Sequence, residues 1–364
     1  MKSQFIRIAA MALFVLLAGS LTAVLAQEST ATVMLGGNDA LGAFLVGPDG
    51  MTLYRFANDA PGVSNCYEQC ALNWPPLLVE ENERPTLAEG IPGRLGVIAR
   101  TDGTRQVIYN GWPLYYWVND AAPGDATGHL VGNVWFVVTP PTVGLGGNAD
   151  LGAFLVGSNG MTLYTFGNDA PGVSNCYDQC ALNWPPLLVE SEEALTVQPG
   201  LVGEFSVLER TDGTLQVAYN GWPLYFWIND MAPGDATGHR VRDVWFVAKP
   251  ATLSIGGNAD LGEFLVGPDG MTLYTFGNDT PGVSNCYDQC AVNWPPLLVA
   301  PGEEPSAGEG VTGELGTIER TDGGIQVTYN GQPLYYWIND VIPGDATGHL
   351  FRDVWFVVAV GDDM

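Results

Sequence analysis

The chain has 364 residues and a formal charge of −27, set by 40 acidic against 13 basic side chains. Charged residues make up only 15% of it, below the ~25% of ordinary domains. Bases are therefore missing rather than acids in excess, and beyond residue 26 Lys249 is the only lysine. Such a surface repels phosphate backbones and anionic lipid, which argues against nucleic-acid or membrane-surface partners. A solvated acidic face that keeps the protein soluble is the simplest reading, with cations or basic partners as the alternative.

Residues 1–26 read as an export signal. Lys2 and Arg7 precede an apolar run from Ile8 to Leu17, and Val24, Leu25 and Ala26 supply a small-residue cleavage site. The first cysteine is Cys66, so no lipid-anchor cysteine stands at the cut. A secreted, extracytoplasmic product is expected, since no later segment has the roughly 18 continuous apolar residues of a membrane-spanning helix.

The remaining chain is repetitive. "LGGNDALGAFLVGPDGMTLYRF" from Leu35 returns as "LGGNADLGAFLVGSNGMTLYTF" from Leu145 and "IGGNADLGEFLVGPDGMTLYTF" from Ile255. Proline-bearing joints, "TPPT" at Thr139 and "KPAT" at Lys249, separate the copies. Three repeat domains follow, at residues 33–138, 143–248 and 253–358, each long enough for its own core. A fainter repeat lies within each copy: "LYRFANDAPG" from Leu53 matches "LYYWVNDAAPG" from Leu114, and Trp74 matches Trp135. Each domain is expected to comprise two related halves.

Each copy predicts strands. Two apolar runs flank the Pro-Asp-Gly turn in "AFLVGPDGMTLYRF", and two flank Asn110-Gly111 in "QVIYNGWPLYYW", a strong hairpin signal of type I′. "GVIARTDGTRQVIY" adds a turn at Asp102-Gly103, and "PLLVE" from Pro76 and "VWFVV" from Val134 add strands. The predicted class is all-β: three tandem small β-sandwich or barrel-like domains of about 110 residues with roughly seven strands each. A six-bladed β-propeller built from the half-repeats is the alternative.

One unit recurs six times. In the strand at Tyr54, alternation puts Tyr54 and Phe56 on one face and Leu53 and Arg55 on the other. Asp59 then precedes a Pro61-Gly62 turn of type II, whose backbone amides it is expected to bind. The same pattern gives Tyr115, Trp117 and Asp120; Tyr164, Phe166 and Asp169; Tyr225, Trp227 and Asp230; Tyr274, Phe276 and Asp279; and Tyr335, Trp337 and Asp340. These residues are expected to serve structure. With the cysteine pair, "WPP" and "YNGWPLYYW", they make the chain resemble, as three tandem copies, the secreted repeat of unknown function. That family is described as predicted lipoproteins with a Tyr-x-(Phe/Trp/Tyr)-x-x-Asp motif. The resemblance implies export and repetition and brings no catalytic residues.

The cysteines fall in "NDAPGVSNCYEQCALNWPP" from Asn58. Asn65 is placed to cap a short helix with Glu68 completing a capping box, which sets Cys66 and Cys70 one turn apart at about 6 Å. A disulfide is the default in an oxidising compartment, for Cys176 with Cys180 and Cys286 with Cys290 as well. It would brace a local shape beside Trp74, which is expected in the core.

The expected function is that of an exported, non-enzymatic structural or binding protein of the cell surface or extracellular space. No Gly-x-Ser-x-Gly elbow, phosphate loop or His-Glu-x-x-His motif occurs. The rival is an extracellular metal- or haem-linked redox protein using the cysteine pair and the histidine of each repeat, His129, His239 or His349. A calcium site at loops such as "NDAAPGDAT", with Asp125, Asp235 and Asp345, and a carbohydrate platform of exposed aromatics are further readings. No cofactor is expected on the leading reading, and the partner is an unidentified extracellular one.

Overall fold

The computed structural model describes residues 31–360, and the export signal expected at residues 1–26 lies outside them. The described chain is all-β, with three five-residue α-helices and short 3-10 turns. Repeat 1 contains β1 (Met34–Asn38), β2 (Gly42–Val46), β3 (Tyr54–Phe56), α1 (Gln69–Asn73), β4 (Leu95–Ala99), β5 (Arg105–Tyr109), β6 (Trp112–Pro113) and β7 (Trp135–Val137). β1 pairs with β2, β3 with β7, and β4, β5 and β6 form a meander. Repeats 2 and 3 follow the same plan and add a two-residue strand at Leu188–Val189 and Leu298–Val299. All pairings between named strands are antiparallel, the sheets are small, and none closes into a barrel among the described residues.

Local chemistry explains most of the elements. Asn110 and Gly111 both take positive φ, 49° and 86°, as a type I′ turn requires, and β5 turns back into β6. The Asp102-Gly103 turn is held by Asp102, whose Oδ1 accepts from the Thr104 amide at 3.0 Å. β1 is a strand the sequence did not announce, because "MLGGN" carries little strand propensity. Its glycines are there for close approach. A Cβ at Gly37 would lie 2.6 Å from the Gly42 carbonyl oxygen, and one at Gly36 would lie 2.5 Å from Val46.

The halves do not form separate propeller blades. β3 of the first half pairs with β7 of the second, Tyr54 opposite Val137 and Phe56 opposite Trp135. Tyr54 and Tyr115 also exchange backbone hydrogen bonds of 2.8 and 2.9 Å. Strand pairing across the halves makes each repeat one interlocked unit, which removes the propeller alternative.

The shared strands divide each repeat into two cores. Leu53 and Leu114 face an aliphatic cluster with Leu45, Leu77 and Val107. Their chain neighbours Tyr54 and Tyr115 face an aromatic cluster with Phe44, Trp74 and Trp135. Repeats 2 and 3 contain the same pair of clusters. The repeats are not strung out in a row, however: the described residues, 31–360, fall within one compact unit. Gly160 lies so near Gly90 that a Cβ there would meet its carbonyl oxygen at 2.1 Å, and Gly270 meets Gly200 in the same way at 2.4 Å. Repeat 1 also touches repeat 3, where Arg94 Nη1 reaches Asp269 Oδ2 at 2.5 Å and Val341 covers Gly96.

Candidate functional site, an aromatic groove

The motif residues cross from one half to the other. The Tyr54 hydroxyl donates to Asp120 Oδ2 at 2.5 Å, and the Tyr115 hydroxyl donates to Asp59 Oδ2 at 2.8 Å. Each aspartate then ties down its own loop. Asp59 Oδ1 accepts the Asn65 amide at 2.7 Å, and Asp120 Oδ1 accepts from the Thr127 amide and hydroxyl at 2.9 and 2.6 Å. Tyr164 with Asp230, Tyr225 with Asp169, Tyr274 with Asp340 and Tyr335 with Asp279 repeat the exchange.

Three expectations are corrected by this geometry. Asp59 does not hold the Pro61-Gly62 turn, which closes through backbone bonds between Ala60 and Val63. In the second half Asp125 does that work, its Oδ2 accepting the Ala121 and Ala122 amides. Nor does Asn65 cap the helix: α1 starts after Glu68, which sits at φ 50° with no side-chain cap. Asn65 instead donates its side-chain amide to the Asn58 carbonyl at 2.7 Å.

Cys66 therefore precedes the helix and Cys70 lies within it, and they are bonded with α-carbons 5.2 Å apart. Cys176 with Cys180 and Cys286 with Cys290 are bonded likewise. Beneath each disulfide lies a buried arginine that sequence reasoning missed. Arg100 donates to the Cys66 carbonyl at 2.8 Å and to Ser64 Oγ and Gln106 Oε1 at 2.7 Å, while its guanidinium lies 4.3 Å over the Tyr67 ring. Arg210 and Arg320 do the same. The available signal was an arginine at one register of every repeat in a base-poor chain.

Burial is the largest influence on the motif groups. It raises the carboxyl of Asp59 above its usual range, against the pull of the Asn65 amide, Tyr115 hydroxyl and Arg100 charge. It also pushes Tyr54 well above the ordinary phenol range, with Asp120 adding to the effect. Asp169, Asp279 and Asp340 are raised for the same reason.

The aromatic residues of the motif join the two matched tryptophans in a four-ring column. In repeat 1, Trp74 stacks between Trp117 at 4.0 Å and Trp135 at 3.8 Å, and Phe56 closes the other end at 4.3 Å. Repeat 2 builds Trp227, Trp184, Trp245 and Phe166, and repeat 3 builds Trp337, Trp294, Trp355 and Phe276. A groove of about 590 Å³ runs beside the column in repeat 2, and one of about 650 Å³ in repeat 3. Three amide side chains, Asn168, Gln179 and Asn183, join the rings, with Cys180 and Arg242. Asn278, Gln289, Asn293, Cys290 and Arg352 stand in their places in repeat 3.

The inner tryptophans carry an unused donor. Among the described residues, the one fully enclosed side-chain polar atom without a partner is Ser254 Oγ. No described acceptor takes the indole N–H of Trp184, Trp245, Trp294 or Trp355, and none of the four is fully enclosed.

The proposed metal ligands are not brought together. No group of three His, Cys, Asp or Glu among the described residues is placed to hold a metal ion. His129 Nδ1 accepts the Val137 amide at 3.2 Å, and its ring meets Phe136 edge-on. His239 and His349 repeat the bond, and burial, with Arg240 and Lys249 nearby, lowers the His239 pKa. Asp125, Asp235 and Asp345 bind turn amides.

Interlocked halves, a bonded cysteine clasp and crossed Tyr–Asp pairs define a class of tandem β-repeat protein. The family model described as "secreted repeat of unknown function" matches six stretches, residues 37–78, 96–139, 147–188, 206–249, 257–298 and 316–359. The chain belongs to that family. Its unit is the half-repeat, so six family units are present and not three. No curated protein and no solved structure matches the chain. The family is described as secreted, and among the described residues no helix is long and apolar enough to cross a membrane.

Proposed function

We propose that this is an exported, non-enzymatic binding protein whose repeats present aromatic grooves to an extracellular saccharide. The observation that carries the reading is the groove itself, found in repeats 2 and 3 with the same column of rings and the same three amides. Sugars present C–H faces that pack on aromatic rings and hydroxyls that both donate and accept. Asn and Gln amides match the hydroxyls in both senses, and the unpaired indole N–H groups match them as donors. The disulfide and the buried arginine hold one wall of the groove in place, which lowers the ordering cost of binding. Several weak sites on one compact chain gain avidity for a polymer.

Titration with cellohexaose, followed by tryptophan emission, tests the reading. A saturable change is expected at micromolar to millimolar ligand, weakened at least about tenfold when Trp227 and Trp337 are both changed to Ala. No change at about 10 mM would contradict the reading.

A further inference from the structure

We infer that the grooves of repeats 2 and 3 select saccharides that carry a carboxylate, with Arg242 and Arg352 as the selecting side chains. This rests on the saccharide reading above and narrows it to uronate-bearing chains.

Charge is the first observation. Acidic side chains outnumber basic ones by 40 to 13 over the whole chain. Neither groove has a carboxylate in its lining, and the one charged residue in each is an arginine. The acidic surface around them disfavours an anionic ligand at long range, but exposed charges beyond about 8 Å are screened at physiological ionic strength. Asp243 and Asp353 directly follow the two arginines in the chain but are not part of the lining, so the charge the groove itself presents is the arginine's.

Backbone conformation is the second. Arg242 and Arg352 sit at φ 54° and 55°, a left-handed conformation that L-residues with side chains adopt at an energetic cost. Repeat 1 has Gly132 there at φ 59°, so the turn itself is served by glycine. The same turns carry other side chains at positive φ, among them Leu130, Arg240 and Leu350, so what distinguishes Arg242 and Arg352 is that they line the groove.

Availability is the third. Arg100, Arg210 and Arg320 are spent on buried partners, and Arg94 is paired with Asp269. Among the described residues no carboxylate lies within the ion-pair distance of 4.0 Å of Arg242 or Arg352. Arg352 lies 5.4 Å over the ring of Phe351, another groove residue. A guanidinium fork matches a carboxylate through two parallel hydrogen bonds, a geometry that a neutral hydroxymethyl group cannot supply.

The test uses hexagalacturonate and its fully methyl-esterified form, which differ in charge and hardly in shape, titrated by calorimetry against the whole protein. The acid should bind at two sites per chain, roughly tenfold more tightly than the ester, and its affinity should fall as salt is raised. With Arg242→Gln and Arg352→Gln together, the preference for the acid over the ester should shrink to within about twofold. A preference that survives the double glutamine variant overturns the inference. So does wild-type protein that binds acid and ester alike, and there the saccharide reading stands. If neither sugar nor cellohexaose binds, the saccharide reading falls and this inference with it.

Discussion

At the scale of single residues, the six motif units owe their form to pairs that cross between halves. Tyr54→Phe would leave Asp120 Oδ2 and the Gly128 amide, which donates to the Tyr54 hydroxyl at 3.2 Å, without that partner. The expected loss is about 1–3 kcal/mol by chemical denaturation. The raised carboxyls give a pH dependence whose sign follows from linkage. Their folded pKa lies above the unfolded one, so their contribution to stability is complete below about pH 4 and is lost as pH rises through the folded value. Thermal midpoints should therefore rise as pH is lowered towards about pH 4, and replacing Asp59, Asp169 and Asp279 by Asn should flatten that rise. A midpoint that falls over this range in the parent protein would contradict the assignment. The sequence marked these tyrosines and aspartates as one recurring unit. It did not show that each reaches into the opposite half, because alternation along a strand fixes the face of a side chain and not its partner.

At the scale of elements, the disulfide and the arginine beneath it are separable. Converting Cys66 and Cys70 to Ser should cost only about 2 kcal/mol, because the closed loop is short. Arg100→Met should cost more, about 3–5 kcal/mol, since it strands the polar groups of Ser64, Gln106 and Cys66 in the core. Denaturation of the two variants ranks them, and a cysteine variant that loses more than the arginine variant would refute this ordering. Hairpin turns were legible because Asn-Gly and Asp-Gly have few other uses. The helix start was misread because Glu68 takes a positive φ that no capping pattern reveals. β1 went unseen because its glycines serve close backbone approach, which composition reports only as turn.

At the scale of the whole molecule, repeats 1 and 2 meet through the same glycine contact as repeats 2 and 3, Gly90 with Gly160 and Gly200 with Gly270, whereas repeat 1 meets repeat 3 through contacts of its own. Arg94 pairs with Asp269 across 175 positions of sequence, and the residues at the register of Arg94 in the later repeats are Glu204 and Glu314. The clasp between repeats 1 and 3 is thus specific to this pair. Arg94→Glu should set two carboxylates together and loosen it, and small-angle scattering at low salt should show a larger radius of gyration. An unchanged radius would mean that the contacts of Val341 with Gly96 and of Ile342 with Gly111 suffice. Repeat number and length were plain in the sequence. The packing of repeat 1 on repeat 3 was not, because it depends on single substitutions within near-identical copies.

The central claim is that stacked tryptophans line a groove that takes a sugar. Indole N–H resonances in a nitrogen-15 spectrum, recorded while cellohexaose is added, test it most directly. Signals from Trp184, Trp245, Trp294 and Trp355 should move together with saturation, while those of Trp112 and Trp222 stay in place. Movement confined to Trp112 and Trp222, or none at all, would contradict the claim.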